Sequence, residues 1–360
     1  MTSHPAIRLG VDIGGTFTDV ALEIGERRIT AKGLTTARAP EAGVLTIVSA
    51  IIAEAGIQPN DVQSIIHGTT LATNALIERK GAKTALLTTE GFRDVLEIRH
   101  ENRFEQYDIN IDLPPPLVPR RLRLPIRERI DAQGDVLVPL DETSIMRALD
   151  TLAENDVEAV AVGFLHSFTN PDYERRVGDA VARRFPKMAV SLSSDVSPEM
   201  REYERFSTAC ANAYLQPLIG SYLAKLAHEL RQAGFRCPML LMTSGGGITT
   251  AETAIRFPVR LVESGPAGGA IFAACIARQH RLDHVVSFDM GGTTAKICFI
   301  DKARPQTARA FEVARIYRFV KGSGLPLRIP VIEMVEIGAG GGSIAAIDAL
   351  ADRQAQTPGH

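Results

Sequence analysis

The octapeptides Asp12-Ile13-Gly14-Gly15-Thr16-Phe17-Thr18-Asp19 and Asp289-Met290-Gly291-Gly292-Thr293-Thr294-Ala295-Lys296 share one pattern: an acid, an apolar residue, two glycines and a threonine. Each follows an apolar run, Ile7 to Val11 in the first case and Val285 to Phe288 in the second, so each reads as the turn after a buried strand. A plain hairpin has no reason to repeat these residues in one order, and two copies imply two lobes that each carry the same strand and turn. The glycines let backbone N–H groups come close to a polyanion, and the threonine adds a hydroxyl. The leading aspartate would repel a phosphate unless a cation stood between them, which implies magnesium held through the carboxylate and water.

The first turn is followed by β-like runs from Phe17 to Ile24 and Arg27 to Leu34, which make a three-stranded meander with the strand before it. Pro40 and Gly56 bracket a helix whose apolar residues, Val44 to Ile52, recur at helical spacing. A strand from Ser64 to His67, a helix from Thr70 to Lys80 and a strand from Lys83 to Thr88 come next, and this alternation predicts an α/β sheet. From Asn102 to Pro125 the chain is rich in Pro and Arg and reads as an exposed excursion, neither helix nor central strand. A hairpin (Arg127 to Ile130 with Val136 to Leu140) precedes a helix capped by Asp141, then a strand from Glu158 to Phe164, a helix from Pro171 to Arg184 and a strand from Met188 to Leu192. Met200 to Ala233 reads as two helices divided near Pro217, followed by a strand from Met239 to Met242 and a helix from Gly265 to Arg278. The change of character near Asp195 to Glu199 divides the chain into domains 1–198 and 199–360.

A hydrophobic fraction of 45% and a charged fraction of 23% over 360 residues suit a globular chain with room for two cores. The net charge of −2 argues against a general nucleic-acid binder. Arg120, Arg121, Arg123, Arg127 and Arg129 have no interleaved aromatic residues and read as solvated or at a subunit interface, compatible with a homo-oligomer. Cys210, Cys237, Cys275 and Cys298 stand apart without Cys-x-x-Cys or Cys/His spacing, which predicts reduced thiols rather than a disulfide or zinc framework. No apolar run reaches the roughly 18 residues of a transmembrane helix, and Met1 to Pro5 lacks the features of a signal peptide. A cytoplasmic protein with no membrane partner is expected.

Further segments join the two turns: His67-Gly68-Thr69-Thr70-Leu71-Ala72-Thr73-Asn74-Ala75, Thr88-Thr89-Glu90-Gly91-Phe92-Arg93-Asp94, Gly163-Phe164-Leu165-His166-Ser167-Phe168 and Glu202-Tyr203-Glu204-Arg205. Later come Ser244-Gly245-Gly246-Gly247, Glu263-Ser264-Gly265-Pro266-Ala267-Gly268-Gly269 and Ile337-Gly338-Ala339-Gly340-Gly341-Gly342-Ser343. With these segments the sequence resembles the hydantoinase A and 5-oxoprolinase family, within the actin, Hsp70 and sugar kinase superfamily. The resemblance implies a two-lobed, ribonuclease H-like α/β fold with ATP in the cleft, and ATP-dependent cleavage of a cyclic amide such as a hydantoin, N-methylhydantoin or 5-oxoproline. A hydantoinase B-type subunit is the implied partner. The family continues past the Gly-Gly-Gly-Ser segment, so the resemblance also implies a truncated or split chain whose second lobe is incomplete. Two alternatives stay open: a subunit of an ATP-dependent ketone carboxylase, acting on acetone or acetophenone, and a catalytically inactive fragment.

On this reading Asp12 and Asp289 hold magnesium, Gly14, Gly15, Gly291 and Gly292 present backbone donors, and Thr16 and Thr293 contact phosphate oxygens. Asp19 serves as a second metal contact or as a base for water. Lys296 replaces Asp19 in the second copy and is either a phosphate partner or an exposed strand residue, so the two copies have separate duties. His67, Thr69, Thr70 and Asn74 sit at a strand-to-helix junction and are expected at the substrate or a phosphate; the competing reading makes a threonine an N-cap and His67 a hydrogen-bonded core group. Gly340, Gly341 and Gly342 read as a further backbone cradle or a flexible turn, and His166 as structural.

Overall fold

The computed structural model describes residues 6–36, 39–100, 105, 107–111, 113–291, 294–317, 320–337, 340–345 and 355–356. Strands β1 (Ile7–Ile13), β2 (Phe17–Ile24) and β3 (Arg27–Leu34) form the expected meander. Helix α1 (Pro40–Ala55) starts at Pro40, where a missing N–H costs nothing, and stops at the left-handed Gly56, φ 71°. It buries Val44, Val48, Ile51 and Ile52 in the core of the first sheet. Strand β4 (Ser64–Thr69) runs parallel to β1, and α2 (Leu71–Ile77) ends earlier than its apolar pattern suggests because Arg79 turns left-handed, φ 56°.

A second layer is built from β5 (Thr84–Thr89), α3 (Val95–Ile98), β6 (Arg123–Ile126), the hairpin of β7 (Arg129–Ile130) and β8 (Val136–Val138), α4 (Glu142–Glu154), β9 (Ala159–Gly163), α5 (Asp172–Arg184) and β10 (Ala189–Leu192). Its sheet is parallel throughout, in the order β10-β9-β5-β6, and α4 is capped by the Asp141 carboxylate accepting from Ser144 N at 2.9 Å. The Pro- and Arg-rich excursion thus ends in an edge strand, the one sheet position that tolerates Pro125. Arg123 is not solvated: it is buried, donating through Nε to the Val118 carbonyl at 3.0 Å and lying 3.2 Å from Glu97.

After α6 (Ser193–Val196), the residues around Pro217 form a single helix, α7 (Glu202–Gln232), where the sequence suggested two. Its packing accounts for the continuity. Phe206, Ala209, Cys210 and Ala213 join the core of the second sheet, while Leu215, Ile219, Leu223 and Leu226 join that of the first. Burial on both sides outweighs the roughly 3 kcal/mol that an interior proline costs. Strands β11 (Met239–Met242) and β12 (Ile248–Thr250) complete the first sheet, in the order β12-β11-β4-β1-β2-β3, with β11 parallel to β4. That sheet therefore draws strands from both sides of residue 199.

Helices α8 (Ala251–Arg256) and α9 (Ser264–His280) lead to the second copy of the hairpin, β13 (His284–Met290) and β14 (Ala295–Asp301). A small third core of Ala267, Ala270, Ala274, Ala277, Cys298 and Ile300 joins α9 to this hairpin. All four cysteines are free. Among the described residues no helix is long and apolar enough to cross a membrane.

Candidate functional site

The described residues of the two repeated octapeptides pair alike. In the first, Asp12 on β1 stands opposite Asp19 on β2, and the turn closes with Gly14 N donating to Phe17 O at 2.9 Å. In the second, Asp289 stands opposite Lys296, and Gly291 N donates to Thr294 O at 2.9 Å. The amides of Gly14 and Gly291 are thus spent on closing the turns, contrary to the expectation that they are free for a phosphate. In the first loop the exposed Gly15 and Thr16 remain; their counterparts, Gly292 and Thr293, lie outside the described residues. Thr35 braces the first loop from β3's far end, its hydroxyl donating to Gly14 O at 3.0 Å and its amide to Thr16 O at 2.9 Å.

Asp12 is the centre of the arrangement. Register sets it beside Gly68 of β4, where a Cβ would stand 2.7 Å from the Asp12 Oδ1, so any larger residue there would push the carboxylate aside. Gly265, in the first turn of α9, is the second close neighbour: a Cβ there would lie 3.5 Å from the same oxygen. Asp12 keeps contact with solvent, but this backbone packing strips part of its hydration. Its pKa is raised, first by that burial, then by the charges of Asp19 and Asp289, with Lys32 opposing. Asp12 therefore feels both other predicted acids, Asp19 on its own hairpin and Asp289 on the second.

Such a cluster suits a divalent cation, whose charge would offset the repulsion. Among the described residues no three His, Cys, Asp or Glu side chains form a metal-binding group. The donor set on offer is Asp12 and Asp289, which fits magnesium because that ion commonly keeps several waters and takes one or two carboxylates plus phosphate oxygens. Asp19 is already held by Lys32 at 2.7 and 2.9 Å.

Lys296 follows neither of its expected readings: its ammonium donates to Glu263 at the start of α9, and both side chains are largely buried. Glu263 N in turn donates to the Thr73 hydroxyl at 3.0 Å, and Ser264 Oγ to Thr69 O at 3.3 Å. The segment Glu263 to Gly265 thereby locks the second hairpin to β4, α2 and Asp12. Sequence reasoning counted this segment among those that carry the family resemblance but assigned its residues no role, because the partners it meets are remote in sequence.

Of the strand-to-helix group, Thr70 and Asn74 reach the first loop. Thr70 donates through its amide and hydroxyl to Ile13 O at 3.0 and 3.1 Å, Asn74 Nδ2 donates to the Thr70 hydroxyl at 3.3 Å, and that nitrogen flanks Gly15. Thr69 is buried, its hydroxyl accepting from Leu71 N at 3.2 Å. His67 is a core group with no opening to a ligand. Its Nδ1 donates to the Val11 carbonyl at 3.3 Å, which fixes the tautomer, and its Nε2 accepts from the Tyr222 hydroxyl at 2.8 Å. Burial lowers its pKa to about 4, so the ring is neutral at pH 7. The glycine run does come to the site: Gly341 N donates to Gly291 O at 3.1 Å, and Gly340 N to Ser343 Oγ at 3.0 Å. Gly342 follows in the same turn.

Residues 8–185 match the hydantoinase/oxoprolinase N-terminal region, and residues 205–357 match hydantoinase/oxoprolinase. An uncharacterized protein of Methanocaldococcus jannaschii is 38% identical over 95% of this chain and 51% of its own length. Caprolactamase subunit alpha of Pseudomonas jessenii is 36% identical over 96% of this chain and 49% of its own. The crystal structure of ATP-dependent caprolactamase from the same organism superposes with a TM-score of 0.84 at 34% identity, covering 97% of this chain and 50% of that one. Nucleotide-free acetone carboxylase superposes with a TM-score of 0.82 at 25% identity, covering 99% and 51%. These superpositions show the two-lobed, actin-like α/β fold. The chain spans about half the length of the curated relatives it matches.

Proposed function

Because the chain belongs to the hydantoinase/oxoprolinase family, we propose that it forms the nucleotide-binding part of an ATP-dependent cyclic amidohydrolase acting on rings of the hydantoin, N-methylhydantoin or 5-oxoproline type. The observation that carries this reading is the convergence of Asp12, Asp19 and Asp289, from two identically closed glycine turns, on one raised carboxyl. An amide is a poor electrophile, and ATP, when bound, supplies the phosphoryl group that turns the amide oxygen into a leaving group. The residues have the remaining work of positioning and charge neutralisation. Asp12 and Asp289 hold magnesium; Gly15 and Thr16 offer donors to phosphate oxygens, with Thr70 and Asn74 behind them; Gly340 and Gly341 support the second loop. Asp19, clamped by Lys32, is a positioned anion and not a free base.

A cytoplasmic setting and a B-type partner subunit belong to the same proposal, the latter supported by the subunit name of the caprolactamase relative. The acetone carboxylase superposition favours one competing reading, carboxylation of a ketone. ATP cleavage by the chain together with its B-type partner separates them. Phosphate release that depends on 5-oxoproline, a hydantoin or caprolactam supports the amidohydrolase, whereas release that depends on bicarbonate and a ketone supports the carboxylase.

A further inference from the structure

Helices α2 and α3 are each followed by an arginine in the left-handed region, Arg79 at φ 56° and Arg99 at φ 59°. A side chain adopts that backbone only at a cost. Both guanidiniums reach the same stretch of the Pro-rich excursion: Arg79 Nη2 donates to Pro115 O at 2.8 Å and Arg99 Nη2 to Pro114 O at 2.6 Å. With Leu96 of α3, Tyr203 and Ser207 of α7, and Leu325, the two arginines line a cavity of about 20 Å³.

The polar balance of this cavity is one-sided. Nε and Nη1 of Arg99 are buried, and no hydrogen-bond partner reaches either. The acids that act on Tyr203, Glu312 and Glu204, do not line the cavity and are turned to other groups. Glu312 accepts from Arg315 and Gly322 N, and Glu204 Oε1 meets His100 Nε2 at 3.0 Å, while the buried Glu204 Oε2 has no partner. Arg79 keeps contact with solvent, yet burial pulls its pKa below the ordinary guanidinium value, with the Tyr214 phenol opposing.

Room and chemistry together narrow the occupant. A volume of about 20 Å³ holds one water-sized particle and no organic ligand. A water would need acceptors as well as donors, and the carbonyls beside the guanidiniums, Pro114 O and Pro115 O, already accept from them. A negatively charged, acceptor-only particle meets the free N–H donors of Arg99 and offsets two partly desolvated cations.

We propose that this cavity binds one small monovalent anion of halide size, held by Arg99 and Arg79, which fastens residues 114–117 to α2, α3 and α7. The site is separate from the repeated loops: Asn74 within α2 flanks Gly15, whereas Arg79 stands beyond that helix's far end. The inference therefore does not rest on the ATP reading.

The test has a crystallographic and a solution arm. In crystals of the unaltered protein grown with sodium bromide, an anomalous-scattering peak is expected between the Arg79 and Arg99 guanidiniums. In solution, sodium chloride replaces sodium gluconate, whose anion is too large for the cavity, at constant ionic strength. This exchange is expected to raise the melting temperature of the parent by about 2 °C. The rise is expected to vanish in Arg99→Gln and to weaken in Arg79→Gln. A cavity peak without anomalous signal, meaning water, overturns the inference. So does an anomalous peak with no chloride-dependent rise, meaning binding at crystal concentration only, or an equal rise in the parent and both variants.

Discussion

The first and second hairpins share their register, their leading aspartate and their closing turn bond, yet one lies in the largest core and the other turns an apolar face to water. The difference teaches that the turn is a local property and burial is not. Asp, Gly, Gly and Thr between two apolar runs suffice to form the loop, because a hairpin of two strands of seven or eight residues closes its own hydrogen bonds. Whether its strands become core depends on what the later chain packs against them. Two lysines repeat the lesson: Lys32, on β3 beside the first hairpin, clamps the acid of its own lobe at the surface, whereas Lys296 of the second hairpin crosses to Glu263 and ties its lobe to the rest of the molecule.

The largest expected effect contrasts paired positions in the two faces. Leu22→Ala should cost about 2–5 kcal/mol in urea unfolding, and Phe299→Ala no more than about 0.5 kcal/mol. Equal costs would break the comparison. Next is acid sensitivity, which belongs to the first lobe because His67 sits between β1 and α7. The unfolded ring titrates near 6.5 and the folded ring near 4, so this contribution to stability is intact above pH 6.5 and lost as pH falls toward 4, by up to about 3 kcal/mol. Glu128, pushed up to about 7 chiefly by burial, acts in the opposite sense, losing stability as pH rises from 4.5 to 7. The difference between the parent and His67→Gln across pH 4–7 isolates the histidine; a flat difference would remove it from the account. Smaller still is the contrast between the ion pairs. Lys296→Met, which strands a largely buried Glu263, should cost about 1–3 kcal/mol, and Lys32→Met less than about 1 kcal/mol because its pair is half exposed. Chemical denaturation at neutral pH reads both.

Much of the first lobe was legible in the sequence. The bounds of β2, β3 and α1 follow from alternation, helical spacing and a Pro start with a Gly stop, which are local signals. The repeated octapeptide likewise announced the loops, and Asp19 and Asp289 do come within electrostatic reach of Asp12. Residues whose roles depend on distant partners were not legible. Pro217 reads as a break until both sides of α7 are packed; Arg123 reads as solvated until Glu97 and the Val118 carbonyl surround it. His67 sits at an inviting junction, but Tyr222, on a helix far along the chain, takes its free nitrogen. Lys296 and Gly265 are of the same kind, their partners set by tertiary contact alone.

The central claim is that the two loops cooperate on one magnesium-bound nucleotide, and calorimetric titration of the protein with ATP tests it most directly. The account predicts binding that requires magnesium and is lost in both Asp12→Asn and Asp289→Asn. No ATP binding in the presence of magnesium, or binding that either variant retains at the parent's affinity, would contradict it.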